Sequence, residues 1–191
     1  MSEAISKRLS YVLRHRPDAI GITLDGAGWA SVDDLLAALA RHGTALSRAE
    51  LAAIVGASDK RRFALSADGT RIRTQQGHSV PVELGHAEAS PPATLYHGTV
   101  ERFLASIGVH GLHRGTRHHV HLSAAAETAI QVGARRGRPV ILEIDAAAMA
   151  ADGHRFWLTP NQVWLTDEVP ARYIRLPARL PAAPPRAPRA R

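Results

Sequence analysis

The stretch RFALSADGTRIRT, residues 62–74, decides how the first half of the chain folds. Apolar and polar residues alternate on both sides of Asp68-Gly69, a pair that favours the tight turn between two antiparallel strands. The stretch therefore predicts a β-hairpin, with one strand over residues 62–66 and the other over residues 70–74.

Three helices are predicted upstream of this hairpin. Apolar residues recur at helical spacing over residues 2–16, and Pro17 ends that helix. Helices over residues 32–41 and 48–55 each follow a serine that has an acidic residue three positions later, and each ends near a glycine. The residues that carry these signals are Ile5, Leu9, Val12 and Leu13, the pairs Ser31/Asp34 and Ser47/Glu50, and Gly43 and Gly56. This order of elements is that of a winged-helix module, a fold that binds nucleic acid in some proteins and only protein in others.

The second half of the chain is predicted to contain more short strands than the first. Residues 82–93 lose periodicity, end in Pro91-Pro92, and are interpreted as a linker. Short strands are predicted over residues 94–97, 120–123, 139–144 and 162–166, with helices over residues 100–107 and 124–133 between them. The fold class is therefore α+β. Residues 178–191 hold four prolines, four arginines and no acidic residue, and we expect them to be a disordered basic tail.

Composition excludes several classes of protein. The chain has 191 residues, a net charge of +7 and no cysteine, which removes disulfides, thiolate metal sites and a cysteine nucleophile. A hydrophobic fraction of 45% argues against general disorder. The absence of a long apolar run and of a signal-peptide pattern at Met1-Ser2-Glu3-Ala4 predicts a cytoplasmic protein that does not enter a membrane.

The positive charge comes almost entirely from arginine, and two explanations remain open. Of 24 basic residues 22 are arginine, which fits either a genomic base composition that also favours alanine or a need for bidentate phosphate contacts. Residues 1–90 carry 11 basic and 10 acidic side chains, whereas residues 179–191 carry 4 and none. More than half of the excess charge thus lies in the tail, where it adds only salt-sensitive attraction to nucleic acid.

Four places concentrate side chains that do chemistry. They are Leu13-Arg14-His15-Arg16-Pro17; Asp59-Lys60-Arg61-Arg62-Phe63 with Gln76-Gly77-His78-Ser79; Tyr96-His97-Gly98-Thr99, which is interpreted as a strand end followed by a glycine turn; and a cluster with His110, His113, Arg117, His118, His119 and His121. Each also has a purely structural interpretation. His15 can cap a helix, Arg61 and Arg62 can be solvated, His97 can belong to the core, and Arg117 can lie on an ordinary loop.

Familiar catalytic patterns are missing from these places. No metal is expected, because the histidine cluster has no adjacent carboxylate and no His-Glu-x-x-His helix. Neither a phosphate-binding P-loop nor a Gly-x-Gly-x-x-Gly fingerprint is present, and a Gly-x-Ser-x-Gly nucleophile turn is lacking. A dinucleotide would therefore bind without a Rossmann fold.

Taken together, these segments resemble the RNA 2′-phosphotransferase family, best known for tRNA 2′-phosphotransferase. The matching motifs extend over residues 5–176: Leu13-Arg14-His15-x-Pro17, Gly28-Trp29, Asp59-Lys60-x-Arg62-Phe63, Gln76-Gly77-His78-Ser79, Leu95-Tyr96-His97-Gly98-Thr99, Arg117-x-His119-Val120-His121-Leu122-Ser123 and Asn161-x-Val163-Trp164-Leu165-Thr166. The resemblance implies a winged-helix lobe that faces RNA (residues 1–88), an ADP-ribosyltransferase-like lobe that binds NAD (residues 93–177) and the tail.

The resemblance also implies a reaction and its residues. The RNA 2′-phosphate attacks the nicotinamide ribose of NAD, and transesterification then releases 2′-OH RNA and ADP-ribose 1″,2″-cyclic phosphate. Arg14, Arg62 and Arg117 correspond to phosphate-binding residues, and His15 to a phosphate ligand or proton shuttle. The NAD-site residues that carry over are Tyr96, His97, Gly98, Thr99, His119, His121, Ser123 and Val163, the last an aliphatic residue where related transferases often have glutamate.

Two rival functions remain. One is an ADP-ribosyltransferase that modifies nucleic-acid terminal phosphates or protein and stops after the first step. The other is a non-catalytic RNA-binding module. We expect a monomer, and a tRNA splice-junction 2′-phosphate is the known substrate only of the family's eukaryotic members. Gln76-Gly77-His78-Ser79 is interpreted as a packing or RNA-side element.

Overall fold

The structure is a computed structural model that describes residues 2–58 and 61–177. Within these residues the chain is a mixed α/β protein with six α-helices and four small antiparallel sheets. The tail predicted for residues 178–191 lies outside the described residues. None of the described helices combines the length and the apolar composition that a membrane crossing requires.

The helices and strands alternate irregularly along the chain. The helices are α1 (Ser2–Arg14), α2 (Val32–Arg41), α3 (Arg48–Gly56), α4 (Leu104–His110), α5 (Ala126–Gly133) and α6 (Ala146–Ala151). The strands are β1 (Ala30–Ser31), β2 (Phe63–Leu65), β3 (Arg71–Thr74), β4 (Thr94–Val100), β5 (Leu112–His113), β6 (Val120–Leu122), β7 (Pro139–Asp145), β8 (Trp157–Leu158), β9 (Trp164–Thr166), β10 (Glu168–Val169) and β11 (Ile174–Arg175).

The predicted hairpin is confirmed. Strands β2 and β3 pair antiparallel, with Phe63 opposite Thr74 and Leu65 opposite Ile72. Gly69 turns the chain with φ of +70°, a left-handed conformation that glycine adopts without steric cost. The sheet also gains a third strand that sequence periodicity did not indicate, because β1 pairs with β3 through Ala30 and Ser31.

The three predicted helices are also present, with one corrected boundary. Helix α1 ends at Arg14 rather than Arg16, because the amides of His15 and Arg16 both donate to the carbonyl of Tyr11. Pro17 then starts a short 3-10 turn, Pro17–Ile20, instead of ending the α-helix directly. Leu9, Val12 and Leu13 are buried, as the helical spacing predicted. They belong to a hydrophobic core whose buried members run from Leu9 to Ile72.

A second hydrophobic core lies in the other half of the chain. Its buried members run from Leu95 to Tyr173 and share no residue with the first core. Strand β7 is central to one sheet there, paired with β4 on one side and β11 on the other. A neighbouring sheet has the order β6-β9-β8. The two sheets are joined where Tyr96 of β4 and Ser123 exchange backbone hydrogen bonds of 2.8 and 2.9 Å.

One local interpretation of the sequence is wrong. Tyr96-His97-Gly98-Thr99 looked like a strand end followed by a glycine turn, but β4 continues to Val100, and Gly98 pairs with Ile141 in the middle of the strand. A Cβ on Gly98 would lie 1.9 Å from the carbonyl oxygen of Ala129 in α5. The glycine is therefore required by a helix packed against the strand rather than by a turn.

The segment interpreted as a linker connects the two halves through backbone contacts. The amide of Glu83 donates to the carbonyl of Gly26 in the first half. Farther along, Ala89 donates to Phe156 and Glu88 forms a bridge with Trp157 at the edge of β8. Residues 83–89 thus contact both halves of the chain.

Candidate active site

The loop Gln76-Gly77-His78-Ser79 holds the end of helix α1. The amide of Ser79 donates to the carbonyl of Arg14 over 3.0 Å, and the Ser79 hydroxyl lies 2.9 Å from Nδ1 of His15. Gly77 has φ of +86°, and a Cβ there would lie 3.7 Å from the guanidinium carbon of Arg14. The loop therefore contacts the backbone of Arg14 and the side chain of His15, which agrees with the packing role, one of the two interpretations drawn from the sequence.

The guanidinium of Arg14 is largely buried. Its Nε and Nη2 atoms are buried and have no hydrogen-bond partner among the described residues. Burial, and then the charges of Arg117, Arg62 and Arg135, lower the pKa of Arg14 to about 10. The side chain stays charged at neutral pH, so its buried donors suit a ligand anion that accepts hydrogen bonds from them.

Arg62 and Arg117 reach the same region from separate elements. Arg62 immediately precedes β2, its carbonyl accepts from Gln75 over 2.9 Å, and its Nη1 donates to the Ser6 hydroxyl over 3.3 Å. Arg117 is exposed in the turn before β6. Both charges act on Arg14. Three arginines that are distant in sequence therefore share one electrostatic site, which is suited to a multiply charged phosphate.

His15 belongs to this site as well. Burial, followed by the charges of Arg14 and Arg117, lowers the pKa of its imidazole. The neutral form is thereby favoured, and that form can accept a proton when a bound anion offsets the surrounding positive charge. Four predicted residues, Arg14, His15, Arg62 and Arg117, are thus brought together.

Strands β4 and β6 place two further histidines next to each other. Nδ1 of His97 donates to the carbonyl of His121 over 3.0 Å, and Nδ1 of His121 donates to the carbonyl of His119 over 3.1 Å. Nε2 of His121 is then the ring atom with a lone pair, and within the described chain it is buried without a partner. Burial is the main reason that the pKa of His121 falls to about 3, so the ring is a neutral hydrogen-bond acceptor.

A cleft of about 700 Å³ opens beside His121 and is lined from both halves of the chain. Trp157 and His119 form part of its wall, with their ring centroids 4.9 Å apart. The guanidinium of Arg155 lies 5.2 Å from the Trp157 ring. Its other lining residues include Gln76, His78, His86, Asp167 and Leu165. Aromatic rings beside polar groups suit a ligand with flat bases and hydroxyl groups.

The remaining predicted NAD-site residues lie in β4 or directly beside β6 and β9. Tyr96 and Ser123 form the backbone bridge between the two sheets, and Thr99 is buried in β4. Val163 precedes Trp164, the partner of Leu122, and its amide donates to the Thr159 hydroxyl over 2.9 Å. The Cα of Gly98 faces α5, where an added Cβ would meet the carbonyl oxygen of Ala129.

Some residues at the site were missed by sequence reasoning. Ser6 contacts Arg62, while His86 and Trp157 line the cleft. A weak signal existed for Ser6, which lies on the polar side of the helical pattern of α1 about two turns before Arg14. No local pattern indicated His86, because it lies in the segment interpreted as a linker.

Arg61 has a strained backbone beside the site, and this gives a testable prediction. Its φ is +40°, where a side chain costs about 1–2 kcal/mol. We expect Arg61→Gly to raise the free energy of unfolding by about 0.5–1 kcal/mol, since glycine relieves this strain but adds unfolded-state entropy. Urea unfolding measures the change. A loss of stability would show that the exposed Arg61 side chain contributes more than its backbone costs.

His78 predicts a pH dependence of stability. It is buried, with Nε2 2.9 Å from the Thr74 hydroxyl, and burial followed by the charge of Arg14 lowers its pKa to about 3. The unfolded imidazole gains a proton below about pH 6.5, whereas the folded one stays neutral until about pH 3. Stability is therefore fully present above pH 6.5 and is lost as the pH falls toward 3.

Between pH 7 and pH 5, this one group is expected to remove about 2 kcal/mol from the free energy of unfolding. His78→Gln should lose about 2 kcal/mol less than the wild type over that range, measured by urea unfolding at both pH values. His42→Gln, at an exposed position after α2, is the control and should keep the wild-type slope. Equal slopes for all three proteins would contradict the assignment of this loss to His78.

No metal site is found in the described part of the chain. Among residues 2–58 and 61–177, no group of three or more histidine, aspartate or glutamate side chains is arranged to hold a metal ion. The cationic side chains whose charges meet at the site are Arg14, Arg62 and Arg117.

The sequence of this chain was compared with protein families and with curated proteins. Residues 1–168 match the model of the RNA 2′-phosphotransferase, Tpt1 / KptA family. A protein of Pseudomonas aeruginosa named "Probable RNA 2′-phosphotransferase" is 60% identical over 171 residues, which are 89% of this chain and 94% of that protein. Proteins with the same name are 56% identical in Agrobacterium fabrum (93% and 96% of the two chains) and 55% identical in Streptomyces coelicolor (91% and 94%). This chain belongs to the RNA 2′-phosphotransferase family.

Proposed function

We propose that this protein removes an internal 2′-phosphate from RNA by transferring it to NAD. The observation that carries the proposal is Arg14, a buried guanidinium with two unpaired nitrogen atoms that lies within the fields of Arg62 and Arg117. Such a site costs free energy when empty and is relieved by a phosphate that carries close to two negative charges.

In the first step, an oxygen of the RNA 2′-phosphate bonds to C1″ of the nicotinamide ribose. The C1″–nitrogen bond breaks, and nicotinamide leaves with the bonding electron pair. Holding the phosphate in line is the main requirement, because an anionic nucleophile needs no base. This explains why an aliphatic Val163, rather than a carboxylate, suffices at its position.

In the second step, the 2″-hydroxyl attacks the same phosphorus and displaces the RNA 2′-oxygen. One proton leaves the attacking hydroxyl and another reaches the departing oxygen, while Arg14, Arg62 and Arg117 stabilise the charge on phosphorus. His15 is the proton carrier in this proposal, because its lowered pKa leaves the imidazole able to accept. Ser79, 2.9 Å from its Nδ1, orients the ring.

The cleft beside His121 is where we propose that NAD binds. The unpaired Nε2 of His121 can accept a hydrogen bond from a ribose hydroxyl or the carboxamide, and Trp157 with His119 offers an aromatic wall. Residues 1–88 would form a winged-helix lobe that faces RNA, and residues 93–177 an ADP-ribosyltransferase-like lobe. Support for this division comes from the two separate hydrophobic cores.

The test uses NAD and an oligonucleotide with one internal 2′-phosphate, with all products resolved by mass. We expect 2′-OH RNA, nicotinamide and ADP-ribose 1″,2″-cyclic phosphate. A stable ADP-ribosylated RNA that never releases the cyclic phosphate would support the alternative transferase instead. Absence of any NAD consumption would support an RNA-binding module.

Variants assign the two steps. We expect Arg62→Ala and Arg117→Ala to abolish turnover while the fold is retained. His15→Ala should slow the second step most, so that the ADP-ribosylated RNA accumulates. Arg61→Gly, one residue before Arg62, is the matched control and should turn over at the wild-type rate. A fully active His15→Ala protein would remove His15 from the mechanism.

A further inference from the structure

Helix α1 contacts the side chain of Arg62 as well as ending at Arg14, directly before His15. Nη1 of Arg62 donates to the hydroxyl oxygen of Ser6 over 3.3 Å, and both residues are half-buried. Ser6 lies in the same helix as Arg14, about two turns before it. A single helix therefore leads to two of the predicted phosphate-site residues and contacts a third.

The backbone of Arg62 is held independently of Ser6. Its carbonyl accepts from the amide of Gln75 over 2.9 Å, and its amide donates to the Ser58 hydroxyl over 3.4 Å. The next residue, Phe63, begins β2 and is buried in the first hydrophobic core. Loss of the Ser6 hydroxyl would therefore leave the main chain of Arg62 in place and release only its side chain.

Contacts of the segment after β3 connect Arg62 with Arg14. Gln75, whose amide binds the Arg62 carbonyl, is two residues before Gly77. A Cβ on Gly77 would lie 3.7 Å from the guanidinium carbon of Arg14. This segment thus contacts the backbone of Arg62 and the guanidinium of Arg14. Helix α1 does the reverse, because it carries the backbone of Arg14 and contacts the guanidinium of Arg62 through Ser6.

The flexibility of arginine gives the contact with Ser6 a consequence for ligand binding. A guanidinium without a fixed position samples many rotamers, and a ligand that must order it binds more weakly for that reason. A guanidinium that is ordered beforehand stabilises charge on phosphate oxygens without moving at the moment of reaction. The bond to Ser6 uses one N–H donor, so it does not compete with bidentate binding of a phosphate by the others.

We propose that Ser6 is a positioning residue that orders the guanidinium of Arg62 for the RNA 2′-phosphate. The inference rests on the proposed function for the identity of the ligand and of the reaction. Ser6 acts through Arg62 and itself touches neither RNA nor NAD. Its hydroxyl fixes one phosphate-binding arginine to the helix that carries another.

The kinetic experiment measures turnover of an oligonucleotide with one internal 2′-phosphate. Ser6→Ala removes the hydroxyl, whereas Ser6→Thr keeps it on a larger side chain. The control is Ser10→Ala, which makes the same change about one turn farther along α1 at another half-buried position. Urea unfolding checks that each variant is folded, and the helix preference of alanine over serine favours folding of both alanine variants.

We expect Ser6→Ala to lower kcat/KM for the RNA about tenfold, because a hydrogen bond that orders a charged group is lost. Ser6→Thr and Ser10→Ala should stay within about twofold of the wild type, since both keep the Ser6-position hydroxyl, and KM for NAD should be unchanged in all variants. A wild-type rate in Ser6→Ala would overturn the proposal. An equal loss in Ser10→Ala would also overturn it, because the effect would then belong to α1 as a whole.

A double-mutant cycle tests whether Ser6 acts through Arg62. Fluorescence anisotropy without NAD measures the Kd of the 2′-phosphorylated oligonucleotide for the wild type, Ser6→Ala, Arg62→Ala and the double variant. Ser6→Ala should weaken binding to the wild type and have no further effect once Arg62 is alanine. An oligonucleotide without the 2′-phosphate should bind equally to wild type and Ser6→Ala. Additive losses would show that Ser6 does not act through Arg62 and would overturn the proposal.

The same cycle keeps this inference separate from the proposed function. If the wild type consumes no NAD but the two substitutions are coupled in binding, the proposed reaction fails and the positioning by Ser6 stands. If the wild type completes the reaction but the losses are additive, the positioning fails and the reaction stands.

Discussion

Replacing Arg14 by glutamine is expected to reduce kcat/KM by about 10²- to 10³-fold without reducing the stability of the free protein. The loss follows because a preorganised, buried donor is worth most where charge is concentrated on phosphate oxygens. Stability is kept because the wild-type side chain buries two unpaired nitrogen atoms and is repelled by Arg117, Arg62 and Arg135. Removing such a charge relieves both costs.

Two measurements check this result. Urea unfolding should give Arg14→Gln a free energy of unfolding equal to or above that of the wild type. Inorganic phosphate should raise the melting temperature of the wild type more than that of the variant, because it binds the folded site. Arg14→Lys is the control for charge: it keeps the cation but loses the planar fork, and most of the activity should still be lost.

A variant that is both less stable and fully active would contradict this account. It would mean that Arg14 supports the end of α1 through contacts of its aliphatic stem and has no role in phosphate binding. The carbonyl of Arg14, which accepts from Ser79, is retained in every variant, so this backbone contact does not confuse the comparison.

Replacing Gly98 by alanine is expected to cost at least about 3 kcal/mol of folding free energy. The added Cβ would lie 1.9 Å from the Ala129 carbonyl oxygen and 2.9 Å from the Gly133 nitrogen. Overpacking against side chains that can move costs about 1–3 kcal/mol. Here the obstacles are backbone atoms, so β4 and α5 would have to separate, and the midpoint of urea unfolding should fall accordingly.

Gly56→Ala provides the matched control. Gly56 is the last residue of α3, has no left-handed backbone, and has open space where the Cβ would be placed. Alanine is favoured over glycine in a helix by up to about 1 kcal/mol, so this variant should be as stable as the wild type or slightly more so. If Gly98→Ala behaved like Gly56→Ala, the close packing of α5 on β4 would be wrong.

The same packing connects stability with the site. Gly98 lies between His97, whose imidazole donates to the carbonyl of His121, and Thr99, whose carbonyl lies against Gly133. A side chain at position 98 would therefore displace the His97 strand and the turn that carries Arg135 at the same time. Strand β4 and the end of α5 pack this closely because Gly98 and Gly133 have no side chains between the two backbones.

Local signals predicted the first half of the chain well. The turn Asp68-Gly69 and the serine caps of α2 and α3 depend on residues within four positions of each other, and all three elements are present. Strand β1 was missed because it is only two residues long and exists through its pairing with β3, forty residues away. Periodicity carries no information about such a contact.

The second half shows the limit of local reasoning more clearly. Gly98 indicated a turn in the sequence, yet it is the middle of β4 because α5 packs where its side chain would be. The short strands β5, β8, β10 and β11 were not predicted, since two residues leave no alternation to detect. Residues 83–89 lacked a pattern but bond to both halves of the chain.

The candidate site was predicted as a set of residues and not as an arrangement. Motif resemblance selected Arg14, His15, Arg62 and Arg117, and the structure brings them together. The role of Gln76-Gly77-His78-Ser79 as the support of α1 emerged only from contacts across more than sixty residues.

The sequence by itself determined the fold class, the hairpin, the helices of the first half and the family, because these depend on local spacing or on motifs read in order. Tertiary structure alone decided that Arg14 has buried donors without a partner among the described residues and that His121 keeps an unpaired nitrogen in the cleft. Burial and electrostatic fields arise from atoms distant in the chain, and no local pattern of residues encodes their sum.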